Sequence, residues 1–185
     1  MKKYMLPGAS ALALIAAVPA LVQDNTSNVA QGGSANAATV IQSGSDGGST
    51  VTQTGQNAVA DLNQAGISNG STISQGGNRN RAEVRQSGSD NESTVTQDNG
   101  TGSSDDNNNA KVTQSGSDNI STVSQTNDFS TATVVQAAAG NQSDVSQSGD
   151  LDVASVTQDG SDNDSDLLQS GNLNTATVTQ ATPPT

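Results

Sequence analysis

Carboxylates are the main reactive groups this chain has to offer. Its 185 residues include 18 acids and six bases, with no His and no Cys. That composition removes imidazole acid–base catalysis, thiol nucleophiles and the usual zinc ligands. No Ser stands beside a plausible base, so the sequence does not describe an enzyme and calls for no cofactor. Asp46, Asp90, Asp118 and Asp162 recur in the corner sequence Gly-Ser-Asp-[Gly/Asn] and fall along one edge. Calcium needs clustered oxygen ligands. These corners lack the G-G-x-G-x-D nonapeptide of calcium-binding β-rolls, and Ser68 stands at the equivalent place between Asp46 and Asp90. They are read as turn formers with no metal. The only strong basic cluster is Arg79, Arg81 and Arg85 with Glu83. It is read as solvated charge pairing, with Arg79 and Arg81 also candidates for contacting acidic edges of neighbouring subunits.

What positions these residues is a repeat. Gln occurs at Gln31, Gln42, Gln53, Gln64, Gln75, Gln86 and Gln97, then at Gln114, Gln125, Gln136, Gln147, Gln158, Gln169 and Gln180. Each step is eleven residues except 97 to 114, which carries six extra. Two residues before each Gln is an aliphatic residue: Val29, Val40, Val51, Leu62, Ile73, Val84, Val95, Val112, Val123, Val134, Val145, Val156, Leu167 and Val178. Four before each Gln, Ser and Ala alternate without exception, from Ser27 and Ala38 to Ser165 and Ala176. The true unit is therefore 22 residues, used seven times.

The segment [S/A]-x-V-x-Q has period two, which predicts a strand with Ser or Ala, the aliphatic residue and Gln on one face. Outward positions are mostly polar, as in Thr50/Thr52 and Lys111/Thr113. Gly two residues after most Gln residues, and Asn six before many, supply the corners. The remaining residues are too few for a crossover helix. The expected architecture is all-β: a two-sided β-solenoid of seven 22-residue rungs and 14 short strands. Ser-type strands form one sheet and Ala-type strands the other, with about 4.8 Å between equivalent residues in cross-β stacking. Gln is then tolerated in a thin core because its equivalent in the next rung supplies its hydrogen bond. A buried Val contributes about 1.5–3 kcal/mol, while ordering each residue costs about 1–2 kcal/mol. Interactions between rungs must supply the difference, so stability rises with stacking.

Residues 1–20 read as a signal peptide. Lys2 and Lys3 precede an apolar run, and Val18-Pro19-Ala20 resembles a cleavage site. Residues 21–182 are the repeat region, with an insertion loop at 98–109, and residues 183–185 form a short tail. Without its leader the chain has eighteen acids and four bases, a net charge of −14. Such a polyanion is not expected to bind nucleic acid, nor to insert in a membrane after leader cleavage. In-register stacking brings Asp144 and Asp166 together on one outer face, and these are candidate gatekeepers that slow polymerisation.

The unit Q-x-G-x-x-N-x-A-x-V-x-Q, as in Gln31-Gly33-Asn36-Ala38-Val40-Gln42, resembles the repeat of curli fimbrial subunits, the curlin-repeat family of functional amyloids. The resemblance spans nearly the whole chain after the leader. It implies a secreted, extracellular subunit that polymerises with itself into cell-surface fibres for adhesion and biofilm matrix. It also implies an outer-membrane export pore and a nucleating minor subunit as partners. A different function is suggested by the outward pairs Thr50/Thr52, Thr72/Ser74, Thr94/Thr96 and Thr122/Ser124. A flat Thr-x-Thr array resembles the face of a monomeric ice-binding solenoid.

Overall fold

The computed structural model describes residues 24–98 and 106–181, together with the backbone of 11–16. The rest of the leader, most of the insertion loop and the tail at 183–185 lie outside the described residues. Within them the chain is all-β and coils into two parallel sheets. The Ala-type sheet, called A, contains β3 (Ala37–Ser45), β5 (Val59–Ile67), β7 (Arg81–Ser89), β9 (Asn109–Ser117), β11 (Thr131–Gln136), β13 (Val153–Gln158) and β15 (Thr175–Gln180). The Ser-type sheet, called B, contains β2 (Thr26–Gln31), β4 (Gly48–Gln53), β6 (Gly70–Gln75), β8 (Glu92–Gln97), β10 (Ile120–Gln125), β12 (Gln142–Gln147) and β14 (Asp164–Gln169). Each strand pairs with the strand two further along, so a rung is one B strand followed by one A strand.

The register places like on like. Ser49 pairs with Ser71, Val51 with Ile73 and Gln53 with Gln75. Sheet A holds the same frame across the insertion, where Arg81 pairs with Asn109 and Gln86 with Gln114. The extra residues are thus accommodated at one corner without shifting a strand. Alternation decides burial: in β4 and β11 every second side chain is buried. The core is a single file of Ala and Val with Leu62, Ile73 and Leu167. The small Ala of sheet A stands opposite the Gln of sheet B, and the small Ser of sheet B opposite the Gln of sheet A, which leaves room for the long amide side chains and lets the sheets approach closely. Ser71, Ser93, Ser121 and Ser143 are buried, and their hydroxyls have no hydrogen-bond partner among the described residues. Such orphans cost stability, so close approach of the sheets is gained against an unmade bond.

Two features go beyond the sequence reading. First, β1 (Ala11–Ala16) pairs in parallel with β3, setting Leu14 beside Val40 and Ala16 beside Gln42. An apolar run with alternating Ala and Leu satisfies the open edge of sheet A as an extra strand would. Second, the Asn residues before the strands do not take the left-handed backbone expected of them. The position seven before Gln does: Ala35, Asp46, Asn57, Ser68, Arg79, Asp90, Asn107, Asp118, Phe129, Leu151, Asp162 and Leu173 all have φ between 53° and 63°, and Asn follows eight of the twelve. The Asn that follows keeps its ordinary backbone and turns its side chain into the corner. Asp46, Asp90, Asp118 and Asp162 are therefore turn residues by conformation, in keeping with the tolerance of Asp for this region.

Gly44, Gly66, Gly88 and Gly116 stack at the corner after sheet A with φ between 101° and 130°. A Cβ on Gly88 would lie 1.8 Å from the carbonyl oxygen of Gly116. Gly88→Ala should therefore force the rungs apart and cost more than about 1 kcal/mol, seen as a lower midpoint in chemical denaturation. An unchanged midpoint would refute the close approach.

Candidate functional site

The candidate site is the pair of amide ladders in the core and the rungs in which they end. In sheet B the ladder runs Gln31, Gln53, Gln75, Gln97, Gln125, Gln147, Gln169; in sheet A it runs Gln42, Gln64, Gln86, Gln114, Gln136, Gln158, Gln180. Every link is an Nε2 donating to the Oε1 of the next rung, at 2.8–2.9 Å. Nε2 also bonds across the corner to the first carbonyl of the preceding strand. Gln53 reaches Ala37 O at 3.0 Å and Gln136 reaches Ile120 O at 2.9 Å. One amide therefore binds along the axis and between the two sheets at once. The carbonyl partner fixes which way the amide points, since only the NH₂ can donate to it. The result is polarity. All axial bonds are donated toward the C-terminal rung, so Gln31 and Gln42 end in acceptors and Gln169 and Gln180 in donors.

A second pair of ladders sits at the corners. Asn36, Asn80 and Asn108 accept from the backbone N–H of the next rung at 2.9 Å. Asn69, Asn91, Asn119 and Asn141 do so at 3.0–3.2 Å. Their Nδ2 groups donate to corner carbonyls, as Asn36 does to Gly32 and Gly55, except that of Asn141, which has no partner among the described residues. All are buried. Sequence reading took these Asn residues for turn formers and missed the ladder; their fixed place six residues before Gln was the available signal. In this column stands Asp152, completely buried. Its Oδ1 accepts from Asn174 N at 2.9 Å, but its Oδ2 has no hydrogen-bond partner among the described residues.

The charged candidates lie outside. Asp144 and Asp166 are exposed and directly paired across β12 and β14. A further acidic stack was missed, at the place eight residues before Gln: Asp106, Asp128 and Asp150, one per rung. These carboxylates accept backbone N–H groups from the rung before, Asn78 N to Asp106 and Asp128 N to Asp150 at 3.3 Å. On sheet A, Glu83 receives Arg85 Nε at 2.7 Å, Arg81 at 3.7 Å and Lys111 at 3.9 Å. The Arg85 hydrogen bond, with Lys111, Arg85 and Arg81 as nearby positive charges, outweighs burial and holds the Glu83 carboxyl below its ordinary value of 4.5. Its contribution to stability is thus fully present above that value and fades as pH falls through the lowered one. Among the described residues no three His, Cys, Asp or Glu side chains group as metal ligands. The surface depression along Gly48 and Gly70 on sheet B is shallow and lined by Thr, Ser and Asn with Asp90 and Glu92.

Gln136→Leu should orphan the buried Gln158 carbonyl oxygen, at about 1–3 kcal/mol, while the Gln114 amide loses its axial acceptor and keeps the carbonyls of Glu92 and Asn119. Denaturation midpoints measure this, and a variant as stable as the parent would show that the amide ladder contributes nothing. Asp152→Asn should act oppositely. It restores the missing donors and should stabilise the chain by about 1 kcal/mol; a destabilised variant would contradict the geometry of that corner.

No match to a curated protein was found. The sequence does match the curlin associated repeat family, over residues 23–55, 66–98 and 152–181. These stretches cover half the chain and include both ends of the solenoid, and they carry the Gln, Val and Asn positions that build the ladders. On that match and on the ladders it accounts for, the chain belongs to the curlin-repeat family.

Proposed function

We propose that this chain is a secreted structural subunit that polymerises end to end into curli-like amyloid fibres for adhesion and biofilm matrix. The observation that carries the reading is the contrast between end and interior rungs. In β2 and β15 the inward side chains are half-exposed, whereas their equivalents in β4 to β13 are buried. Val29 and Val178 thus continue the core to both ends. Acceptors at Gln31 and Gln42 and donors at Gln169 and Gln180 make the two ends complementary, so a second copy stacks head to tail. Family membership supports a structural rather than an enzymatic role, and an extracellular one. An export pore and a nucleating minor subunit belong to the same reading.

Processing has a place in this scheme. The edge of β3 that must receive β15 of another copy is the edge that β1 occupies. Leader removal clears it. The facing carboxylates Asp144 and Asp166 act as gatekeepers, since like charges in register oppose stacking. The ice-binding reading rests on Thr50, Thr72, Thr94 and Thr122, which the register sets in one line. Asp144 and Asp166 interrupt that line, and ice binding gives no reason for complementary open ends.

Residues 21–185 should form thioflavin-positive fibres with an axial repeat of about 4.8 Å, faster in high salt, where carboxylates are screened. The chain retaining residues 1–20 should elongate several-fold more slowly. A persistently monomeric protein with thermal hysteresis would overturn the proposal, and equal rates with and without the leader would overturn the role of β1.

A further inference from the structure

The outer faces of the two sheets carry complementary patterns of charge. On sheet A, charge is confined to β5, β7 and β9, where Arg81 bonds Asp61 at 3.1 Å and the cations gather around Glu83. The acid lies beneath: the Glu83 side chain is 17% exposed, against 49% for Arg81, 62% for Arg85 and 49% for Lys111. Asp61 is 40% exposed and offsets Arg81, so the surface is positive by the margin that Arg85 and Lys111 supply. Toward the C-terminus sheet A is uncharged: Thr131, Thr133 and Val135, then Val153, Ser155 and Thr157, then Thr175, Thr177 and Thr179. Sheet B is arranged the other way. Its outward residues in β6, β8 and β10 are Gly, Ser, Thr and Ile apart from Glu92. Its β12 and β14 expose Asp144, Asp164 and Asp166.

We propose that the outer face of sheet A binds the outer face of sheet B on a second copy running the opposite way, so that filaments associate laterally. This inference rests on the fibre reading above. In a coil the strands of the two sheets run in opposite directions, so turning the second copy end for end aligns an A strand with a B strand position by position. With β7 set on β14, one like-charge pair arises, the half-sunken Glu83 opposite Asp166, and the other facing charges are opposite in sign. Arg81 meets Asp164, and in the next rung, β9 on β12, Lys111 meets Asp144. The remainder, uncharged but for Glu92 opposite Val153, then coincides: β11 lies on β10, β13 on β8 and β15 on β6. Keeping the axes parallel leaves the middle column as it is, with Glu83 opposite an Asp in either case, but exchanges the outer columns, so that Arg81 loses Asp164 and faces Leu168 or Ser146 instead. The overlap of five rungs, about 24 Å by 20 Å, buries on the order of 1,000 Å² over both partners. That is the lower end for a specific contact, and a filament multiplies it. Because unlike faces meet, the contact does not close on itself. Each pair leaves one A face and one B face open, so bundles rather than two-filament pairs result.

The test uses full fibres of residues 21–185, with bundle width read by electron microscopy and elongation read separately by thioflavin. Asp144→Asn with Asp164→Asn removes two negative charges. General repulsion between acidic filaments predicts wider bundles for it; the face pairing predicts thin, dispersed filaments at unchanged or faster elongation. Asp46→Asn with Asp118→Asn, the same charge change at a corner, should leave bundling as it was. Fibres of Arg81→Glu with Lys111→Glu should also disperse, and should bundle again when mixed with preformed fibres of Asp144→Lys with Asp164→Lys. Bundles of parental width in the Asn pair, or a mixture that stays dispersed, would overturn the inference. If the parent forms no fibres the polymer reading fails, and sedimentation of the soluble chain at low salt then reads the same face contact. Self-association lost in the Asn pair supports the contact, and no association in the parent overturns it.

Discussion

Everything in this fold depends on exact repetition at 22 residues, because only that spacing puts a polar side chain above a copy of itself. A buried primary amide needs two donors and an acceptor satisfied. Here the acceptor and one donor are served by the same residue type in the rungs above and below, and the second donor by a carbonyl of the facing sheet. A core with one Val or its equivalent per strand could not by itself offset the entropy of ordering the chain. The ladders convert an amide that would be a liability inside a globular protein into the element that joins the two sheets.

The same economy explains the tolerance of the corners. Gly supplies the close approach at Gly88, but the left-handed position before each strand is filled by Ala, Asp, Asn, Ser, Arg, Phe and Leu alike. Bulky residues at such φ are strained, as at Phe129, Leu151 and Leu173. The adjoining ladder holds the corner regardless: Asn108 bonds the backbone N–H of Ser130, Asp152 that of Asn174, and Ser130 Oγ that of Asp152. Local backbone preference is overruled by bonds made between rungs. A lone rung would lose those bonds, so the structure is secure only when stacked.

Polarity and charge then divide the work of assembly. The ends are uncharged in their core and complementary in hydrogen bonding, which suits growth along the axis. The charge on the flanks is unevenly spread, basic on the middle of sheet A and acidic on the C-terminal part of sheet B. Axial and lateral contacts therefore answer to different residues and respond differently to salt.

Much of this was legible from the residues alone. Period two within [S/A]-x-V-x-Q, and period 22 between like halves, determine strand, inward face, sheet membership and register, since a slip of one residue would turn Gln and Val to water. The family followed from the same positions. What only the tertiary structure decided depends on contacts between residues with no local pattern to betray them. The direction of the amide bonds needed the facing carbonyl, as at Gln136 and Ile120. The inward turn of Asn36 and the left-handed φ of Ala35 needed the corner's actual path. The pairing of Leu14 with Val40 needed an open edge to exist. The submersion of Glu83 beneath three cations needed neighbouring strands laid side by side. Sequence periodicity specifies which residues share a face; only the folded coil specifies what each of them meets there.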